Sequence, residues 1–376
     1  MDLVDFFENA CLTTRQGDVL DLTTAAGSER WLHSAALARR LGFSDEGQPQ
    51  GYWLNARHAQ SPVIRWVRKD DFSAWAALFL ACFNHDISFA QWAWKYRDTD
   101  KPGIVVLIQG RMIAFYGGMP RAVSACGVRQ TAIQIGDVMV HPDFRGKLSR
   151  RGPFQMAAST FLEQTLAMNA PYWVGFGFPN QRAMQLARHL HLYRPVDQLV
   201  ELFWQPREAF LPWWLGLSHA DASQLDFVNQ LWDEMRLAMP DSLVGVRNAQ
   251  YVQQRYVEHP AHTHSLLKVY NKLNRQVYGL AVLRQLSDDR QEILDVVGHP
   301  KHFAKLIMAA KAFAAQVGSP SVSAWMTESH AHLLMSADAR LNVLDVFIPT
   351  NDWVAGNATL DPNKRWWLTC GDTDFR

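Results

Sequence analysis

A run of cations and glycines follows a short apolar stretch in the first half of the chain. The apolar stretch is Val138, Met139 and Val140, and the run contains Arg145, Gly146, Lys147, Arg150, Arg151 and Gly152. Glycine lets the backbone approach a ligand closely, and free N–H groups at a helix start attract anions together with the helix dipole. A strand, this loop and a following helix would form a pyrophosphate site.

The elements around this run follow a regular order. Alternation of apolar residues and helical spacing predict strands at 63–68, 104–108, 112–119, 130–140 and 172–178, and helices from Asp70 and over 89–96, 154–168 and 180–192. Gln109-Gly110-Arg111 is typical of a hairpin turn, and Asn180 of a helix N-cap. The loop would therefore lie at the end of a central strand.

The stretch Val140-His141-Pro142-Asp143-Phe144-Arg145-Gly146-Lys147 resembles the central motif of the GNAT acetyltransferase superfamily. The resemblance implies that the domain binds acetyl-CoA or another acyl-CoA. The loop at 145–152 would hold the pyrophosphate, and strand Val138 to Val140, which includes Met139, would hydrogen-bond the pantetheine arm. Asn180, which begins an Asn-x-x-Ala-x-x-Leu helix as in the family, would also belong to the cofactor site.

The sequence departs from the family pattern in two places. Leu148 stands where the next glycine is expected, and the motif resumes at Gly152 after an insertion; Pro153 then has no N–H to offer. Ala187 replaces the tyrosine that usually protonates the departing thiolate. These departures make cofactor binding a firmer expectation than catalysis.

Three residues are candidates for proton transfer. Asp137 could accept the proton that an attacking amine loses, and Tyr116 or Tyr193 could act as the acid in place of the missing tyrosine. The alternative roles are a carboxylate bonded to the backbone for Asp137 and core packing for both tyrosines. The histidines at 259, 262 and 264 lie without cysteine or carboxylate ligands at metal-binding spacing, so we expect a solvated loop and no metal.

The second half of the chain repeats the first in a degenerate form. From residue 241 the predicted elements follow a similar order, and three short echoes recur at offsets of 160, 162 and 158 positions, namely Tyr96 with Tyr256, Gly117 with Gly279, and Asp137 with Asp295. The corresponding stretch around His299-Pro300 lacks the Arg-Gly-Lys loop. We expect this half to pack against the first and to help form the acceptor cleft.

The predicted fold is therefore mixed α/β, with two tandem GNAT-like domains that each contain a central mixed sheet flanked by helices. The expected boundaries are a helical appendage at 1–60, an acyl-CoA-binding domain at 61–210, a linker helix region at 211–240 and the degenerate domain at 241–376. The chain has 376 residues, more than one hydrophobic core usually organises.

Composition excludes several classes of function. The net charge of +1 provides no general attraction for nucleic acid or an anionic membrane, and the longest apolar stretch is too short to span a bilayer. Four widely spaced cysteines and the absence of a signal-like N-terminus favour a cytoplasmic protein.

The function expected from the resemblance is acyl transfer from acyl-CoA to an amine of a small molecule or amino sugar. One alternative is a coenzyme A-binding sensor or structural protein without catalysis; another is an aminoacyl-tRNA-dependent peptidyltransferase of the same tandem fold. The carboxylates of Asp372, Asp374 and the C-terminus are further candidates to reach the cleft, and a closing edge strand is the alternative reading of that segment.

Overall fold

The computed structural model describes residues 12–13, 19–20, 62–145, 152–205, 210–353 and 360–373. Most of the predicted N-terminal appendage lies outside these ranges. Its four described residues form two antiparallel strands, β1 (Leu12–Thr13) and β2 (Val19–Leu20).

The first half builds a mixed sheet with helices on both faces. Its strands are β3 (Val63–Trp66), β4 (Gly103–Ile108), β5 (Arg111–Ala125), β6 (Val128–Val140) and β7 (Gly175–Gly177). Its helices are α1 (Phe72–Phe83), α2 (Phe89–Lys95), α3 (Pro153–Leu166) and α4 (Gln181–His189). Strands β3 to β6 pair antiparallel in chain order, and β7 pairs parallel with β6.

Local sequence explains the ends of these elements. Gln109 and Gly110 both have positive φ, as the tight turn between β4 and β5 requires. Ser88 begins α2 with a capping box to Gln91, and Asn180 begins α4 by accepting a hydrogen bond from the Ala183 N–H at 2.9 Å. The predicted cap at Asn180 is therefore present.

The second half of the chain contributes most strands of a second mixed sheet. The strands after β7 are β8 (Tyr193–Trp204), β9 (Leu215–His219), β10 (Leu243–Gly245), β11 (Ser265–Asn271), β12 (Val277–Gln285), β13 (Gln291–Val297), β14 (Val322–Thr327), β15 (Arg340–Asn351) and β16 (Trp366–Trp367). The helices of this half are α5 (Phe227–Ala238), α6 (Ala249–Val252), which continues into a π-helical turn at Gln253–Val257, and α7 (Phe303–Gln316).

Each half of the chain contributes strands to the sheet of the other half, and the predicted boundaries did not include this. Strand β8 lies in the second sheet, between β14 and β15, whereas β10 and β16 extend the first sheet from the far end of β5. The region predicted as a linker helix at 211–240 contains β9 as well as α5, and β9 is the edge strand of the second sheet. Each sheet therefore contains strands from both predicted domains, so the two domains are not independent units.

The hydrophobic cores follow this arrangement. Helix α3 packs on one face of the first sheet, where Phe161 is buried against Tyr116. Helices α1 and α2 cover the opposite face through an aromatic cluster centred on Trp75. Among the helices of the described residues, none combines the length and apolar composition that crossing a bilayer requires.

Candidate active site

Strand β6 carries a β-bulge at the residue singled out as a possible base. Met139 pairs with Phe115 and Gly136 pairs with Gly117, so Tyr116 alone lies opposite Asp137 and Val138. Asp137 has a φ of 51°, in the left-handed region that aspartate tolerates better than most side chains. Bulges of this kind redirect backbone groups and are common beside active sites.

The bulge changes which backbone groups face β7. Before it, the Ile133 N–H donates to Val174 at the β7 side, whereas after it the His141 N–H donates to Ile113 in β5. Successive N–H groups along a strand point to opposite sides, and those two residues apart point the same way. Because the His141 N–H faces β5, the N–H groups of Val140 and Val138 face the β7 side.

This side of β6 is open where those groups lie. The parallel pairing of β6 with β7 ends at Ile135 and Gly177. The chain then turns toward β15, where the Pro179 carbonyl accepts a hydrogen bond from Phe347. In the described part of the chain no strand pairs with β6 beyond Ile135 on this edge. Two parallel strands thus part and leave two N–H donors, which we call the open edge of β6.

The start of α3 lies beyond the open edge in the chain. Gly152 is the N-cap and Pro153 is the first helical residue, a position where its missing N–H is not needed by the helix. Arg145 folds back so that its Nε donates to the Val140 carbonyl at 2.8 Å. The other predicted pyrophosphate ligands, Gly146, Lys147, Arg150 and Arg151, lie outside the described residues.

Asp137 is held by two neighbours from α2 and the residue that follows it. Its carboxylate oxygens accept from Lys95 Nζ and from Tyr96 Oη, each at 2.6 Å. The side chain is 6% exposed. The bulge thus aims Asp137 at the α2 face of the sheet, where both oxygens are engaged with side chains rather than with the backbone.

Tyr116 and Tyr193 both lie in the core beneath α3. The ring of Tyr116 is 5.3 Å from that of Phe161 and 6.2 Å from that of Phe154 in the first turn of α3. Both hydroxyls are buried, and neither has a hydrogen-bond partner among the described residues. Burial raises the pKa of Tyr193 well above its usual value, so its hydroxyl stays protonated.

The second half contains the same parting of strands in the same register. Strand β13 pairs parallel with β14 only from Gln291 to Ile293, which correspond to Ile133 and Ile135 at the offset of 158 positions. The Tyr–Asp contact also recurs, because Tyr256 donates to Asp295 at 2.9 Å as Tyr96 donates to Asp137. The tyrosine and aspartate echoes seen in the sequence therefore form the same contact in both halves.

In the second half, however, the chain's own C-terminal segment fills the gap. The Thr327 N–H at the end of β14 donates to the Leu368 carbonyl, and Met326 forms a bridge with Thr369. On the other side, a Cβ on Gly371 would lie 2.9 Å from the Leu294 carbonyl of β13. Residues 368–373, which we call the C-terminal segment, thus occupy the position that corresponds to the open edge of β6.

A buried arginine fixes this segment. Arg247, fully buried, donates to Asp295 at 2.7 Å, to Asp372 at 2.5 Å and to the Gly245 carbonyl at 2.7 Å. Burial raises the pKa of Asp295, and the positive charge of Arg247 opposes that rise. The guanidinium therefore ties β10, β13 and the C-terminal segment together.

A cavity of about 300 Å³ lies between the two halves. Its lining is mixed: Asp98, Arg121, Arg129 and Phe176 come from the first half, and Asn248, Tyr251, Trp366 and Asp372 from the second. The Phe176 and Trp366 rings meet at 4.6 Å across the interface. Gln134, three residues before Asp137, donates to the Asp372 carbonyl at 2.8 Å, so the C-terminal segment also contacts the strand that carries the open edge.

Of the histidines at 259, 262 and 264, His259 lies at a second contact between the halves, whereas His262 is exposed, as expected of a solvated loop. His259 packs edge-on against Trp94 at 4.4 Å, and Trp94 also donates to the Gln254 carbonyl. Burial lowers the pKa of His259 to about 3 and that of His264 to about 4. Within the described residues, no cluster of His, Cys, Asp and Glu has the arrangement to hold a metal ion.

Comparison with known proteins identifies the first half. Residues 63–183 match the family described as "Acetyltransferase (GNAT) domain". This region is a GNAT domain, as predicted from its motif. The match supports the predicted acyltransferase. No curated protein matches the sequence.

Solved structures share the fold across both halves. A probable N-acyltransferase of unknown function from Enterococcus faecalis superposes with a TM-score of 0.59 at 13% identity, over 77% of this chain and 71% of its own. A GCN5-related N-acetyltransferase from Kribbella flavida gives 0.55 at 15%, over 77% and 70%. The N-myristoyltransferase of Saccharomyces cerevisiae, solved with myristoyl-CoA and inhibitors, gives 0.53 at 10%, over 89% of both chains. The predicted fold class is confirmed.

Several residues of the site escaped prediction from the sequence. Lys95 and Tyr96 hold Asp137, but the sequence points only to Tyr96, and only as part of an echo. Arg247 and Gln134 gave no signal, because a buried arginine or glutamine looks the same in a sequence as an exposed one. The echo of Tyr96 in Tyr256 could have revealed the contact, since both stand at a fixed distance from an aspartate.

Proposed function

We propose that this protein transfers an acetyl or other short acyl group from acyl-CoA to the amine of a small molecule, such as an amino sugar. The observation that carries the proposal is the open edge of β6. Its two N–H groups, on Val138 and Val140, are spaced to bind an extended amide chain as a neighbouring strand would. The pantetheine arm of coenzyme A contains two amides, and it fits this edge as an added strand.

The phosphate end of the cofactor belongs at the start of α3. The free N–H groups of Phe154 and Gln155 and the helix dipole favour an anion there. Arg145, Gly146, Lys147, Arg150, Arg151 and Gly152 complete the proposed pyrophosphate site. Asn180 uses its side-chain oxygen to cap α4, which leaves its amide group for any contact with the cofactor. When bound, acyl-CoA supplies the activated thioester.

For proton transfer, we keep Asp137 as the proposed base. Tyr96 lies between its carboxylate and Gly117, since a Cβ on Gly117 would be 2.7 Å from the Tyr96 hydroxyl. A proton reaching Asp137 through Tyr96 is consistent with these contacts. Tyr116, opposite the bulge, and Tyr193 are the proposed acids. Asp374 and the terminal carboxylate, which follow the C-terminal segment, are the alternative bases.

The test is release of free thiol from acetyl-CoA in the presence of an amine panel, together with calorimetric titration of coenzyme A. We expect Arg145→Gln to weaken coenzyme A binding about tenfold, because it removes a charged hydrogen-bond donor from an anion site. Arg236→Gln is the matched control, since Arg236 lies on α5 and pairs with Asp233. Its affinity should equal that of the natural protein.

Each outcome separates the proposal from its alternatives. Tight binding of coenzyme A without turnover on any amine would support the sensor. Measurable binding of tRNA without stabilisation by coenzyme A would support the peptidyltransferase. Equal affinity of the Arg145→Gln and Arg236→Gln variants for coenzyme A would contradict the assignment of the phosphate site.

A further inference from the structure

The cavity between the halves is lined by charges that do not neutralise one another. Asp98 and Arg129 both line it and are both exposed, and neither side chain forms a hydrogen bond or ion pair with another described residue. Opposite charges on the wall of one small cavity usually pair directly if they can reach each other. Here both remain available to a molecule in the cavity.

A third charge is turned toward the same space. Asp372 is 11% exposed, and one of its carboxylate oxygens, Oδ2, accepts from Arg247 and from the Thr369 N–H. The other oxygen, Oδ1, has no hydrogen-bond donor among the described residues. Because Arg247 holds the carboxylate from behind, Oδ1 is presented in a fixed position rather than on a mobile side chain.

We propose that this cavity is the acceptor site and that the acceptor carries an anionic group, a carboxylate or a phosphate, in addition to its amine. The amine would bind at Asp372 and Asp98, and the anionic group at Arg129. This inference rests on the proposed function and names the chemical class of its acceptor.

The orientation follows from the position of each charge along β6. The backbone carbonyl of Asp372 accepts a hydrogen bond from the side chain of Gln134. Gln134 directly precedes Ile135, where β7 stops pairing with β6 and the open edge begins. Arg129 lies at the other end of β6, near the turn that joins β5 to β6. The amine is thus placed at the end of the cavity closer to the open edge of β6, where the proposed function puts the pantetheine arm. A cavity of about 300 Å³ suits a small molecule.

Arg121 supports the anionic end without being its main ligand. Its Nε donates to Gln134 at 2.7 Å, so this guanidinium is partly engaged inside the protein. Its positive charge still adds to the potential at the cavity wall. Arg129 is therefore the residue whose charge should decide between acceptors with and without an anion.

The experiment compares matched acceptors at saturating acetyl-CoA. The two pairs are L-alanine with L-alaninamide and glucosamine 6-phosphate with glucosamine, which separate a carboxylate from a phosphate as the anion recognised. We expect the natural protein to favour the anionic member of one pair. Arg129→Gln should reduce that ratio of kcat/KM about tenfold, and Arg129→Glu should reverse it, since a charged hydrogen bond is replaced by repulsion.

Ratios within each pair are compared between variants, so differences in the intrinsic reactivity of the amines cancel. Arg236→Glu, on the surface of α5, is the matched control and should leave both ratios unchanged. Turnover whose ratios are insensitive to Arg129→Glu would overturn the inference while leaving the proposed function intact. If no amine is acylated, the proposed function fails. Calorimetric titration of the same four compounds then tests the cavity directly. If the natural protein and the Arg129→Glu variant bind the anionic compounds equally, or if neither binds them, the inference is overturned.

Discussion

Replacing Arg247 by methionine should destabilise the protein strongly and in a pH-dependent way. Methionine keeps much of the length and volume of the side chain but removes its charge. Asp295, fully buried, would lose the donor at 2.7 Å, and Asp372 would lose the donor that holds its Oδ2. Breaking a buried ion pair by removing one partner costs about 3–5 kcal/mol. We expect a loss of that size at pH 7.5, measured by chemical denaturation.

The pH dependence identifies the cause of the loss. Burial raises the pKa of Asp295, and Arg247 is the largest opposing influence, so the variant should have a still higher pKa at this group. A folded-state pKa above the unfolded one means that the folded state binds more protons, so stability decreases as pH rises through this window. The difference between variant and natural protein should therefore shrink from pH 7.5 to pH 5.5.

A control and a refuting result complete this test. Arg236→Met removes an exposed arginine whose ion pair with Asp233 is worth at most about 1 kcal/mol. It should show little loss at either pH. A loss in Arg247→Met that is below about 1 kcal/mol, or one that stays constant over this pH range, would refute the reasoning that an uncompensated buried charge is its cause.

Three further predictions concern single side chains. Asp137→Asn keeps a residue that tolerates positive φ and should lower kcat about a hundredfold if Asp137 accepts the proton; an unchanged kcat would mean that Asp137 is structural. Tyr116→Phe and Tyr193→Phe remove hydroxyls that have no hydrogen-bond partner in the described part of the chain, so neither should reduce the melting temperature much. The one that acts as the acid should lower kcat at least about tenfold. Burial lowers the pKa of His259 to about 3, so the stability that its neutral ring contributes is lost as pH falls from about 6.5 toward 3. The His259→Phe variant should therefore show a smaller drop in melting temperature on acidification than the natural protein.

Most elements of the first half were predictable, since their patterns are local. Strands such as β4 and β6 alternate or run apolar over a definite length, and α3 has helical spacing with a clear start at Gly152. The exchange of β8 and β10 between the sheets was not predictable in this way. Which strand pairs with which depends on long-range register, and a strand carries no mark of its partner.

The site was predicted in part for the same reason. The motif located the loop after Val140, because loop chemistry is written in consecutive residues. The bulge at Asp137 was invisible, since a single left-handed residue inside a strand leaves no compositional trace. The cavity charges at Asp98 and Arg129 come from distant parts of the chain and meet only through the fold.

Parallel strands separate at one place in each half of the chain, and the two places differ in a way that explains why only the first should bind a cofactor. Both pairs of strands stop pairing at the same register, so the fold itself creates two gaps. In the second, the Arg-Gly-Lys loop is missing, and the C-terminal segment fills the gap with Leu368 while Trp366 and Trp367 beside it are fully buried. Each such side chain stabilises the fold by about 1.5–3 kcal/mol, which a bound cofactor would have to displace. The same segment carries Asp372 into the cavity, so closing the second gap also builds the wall of the proposed acceptor site beside the first.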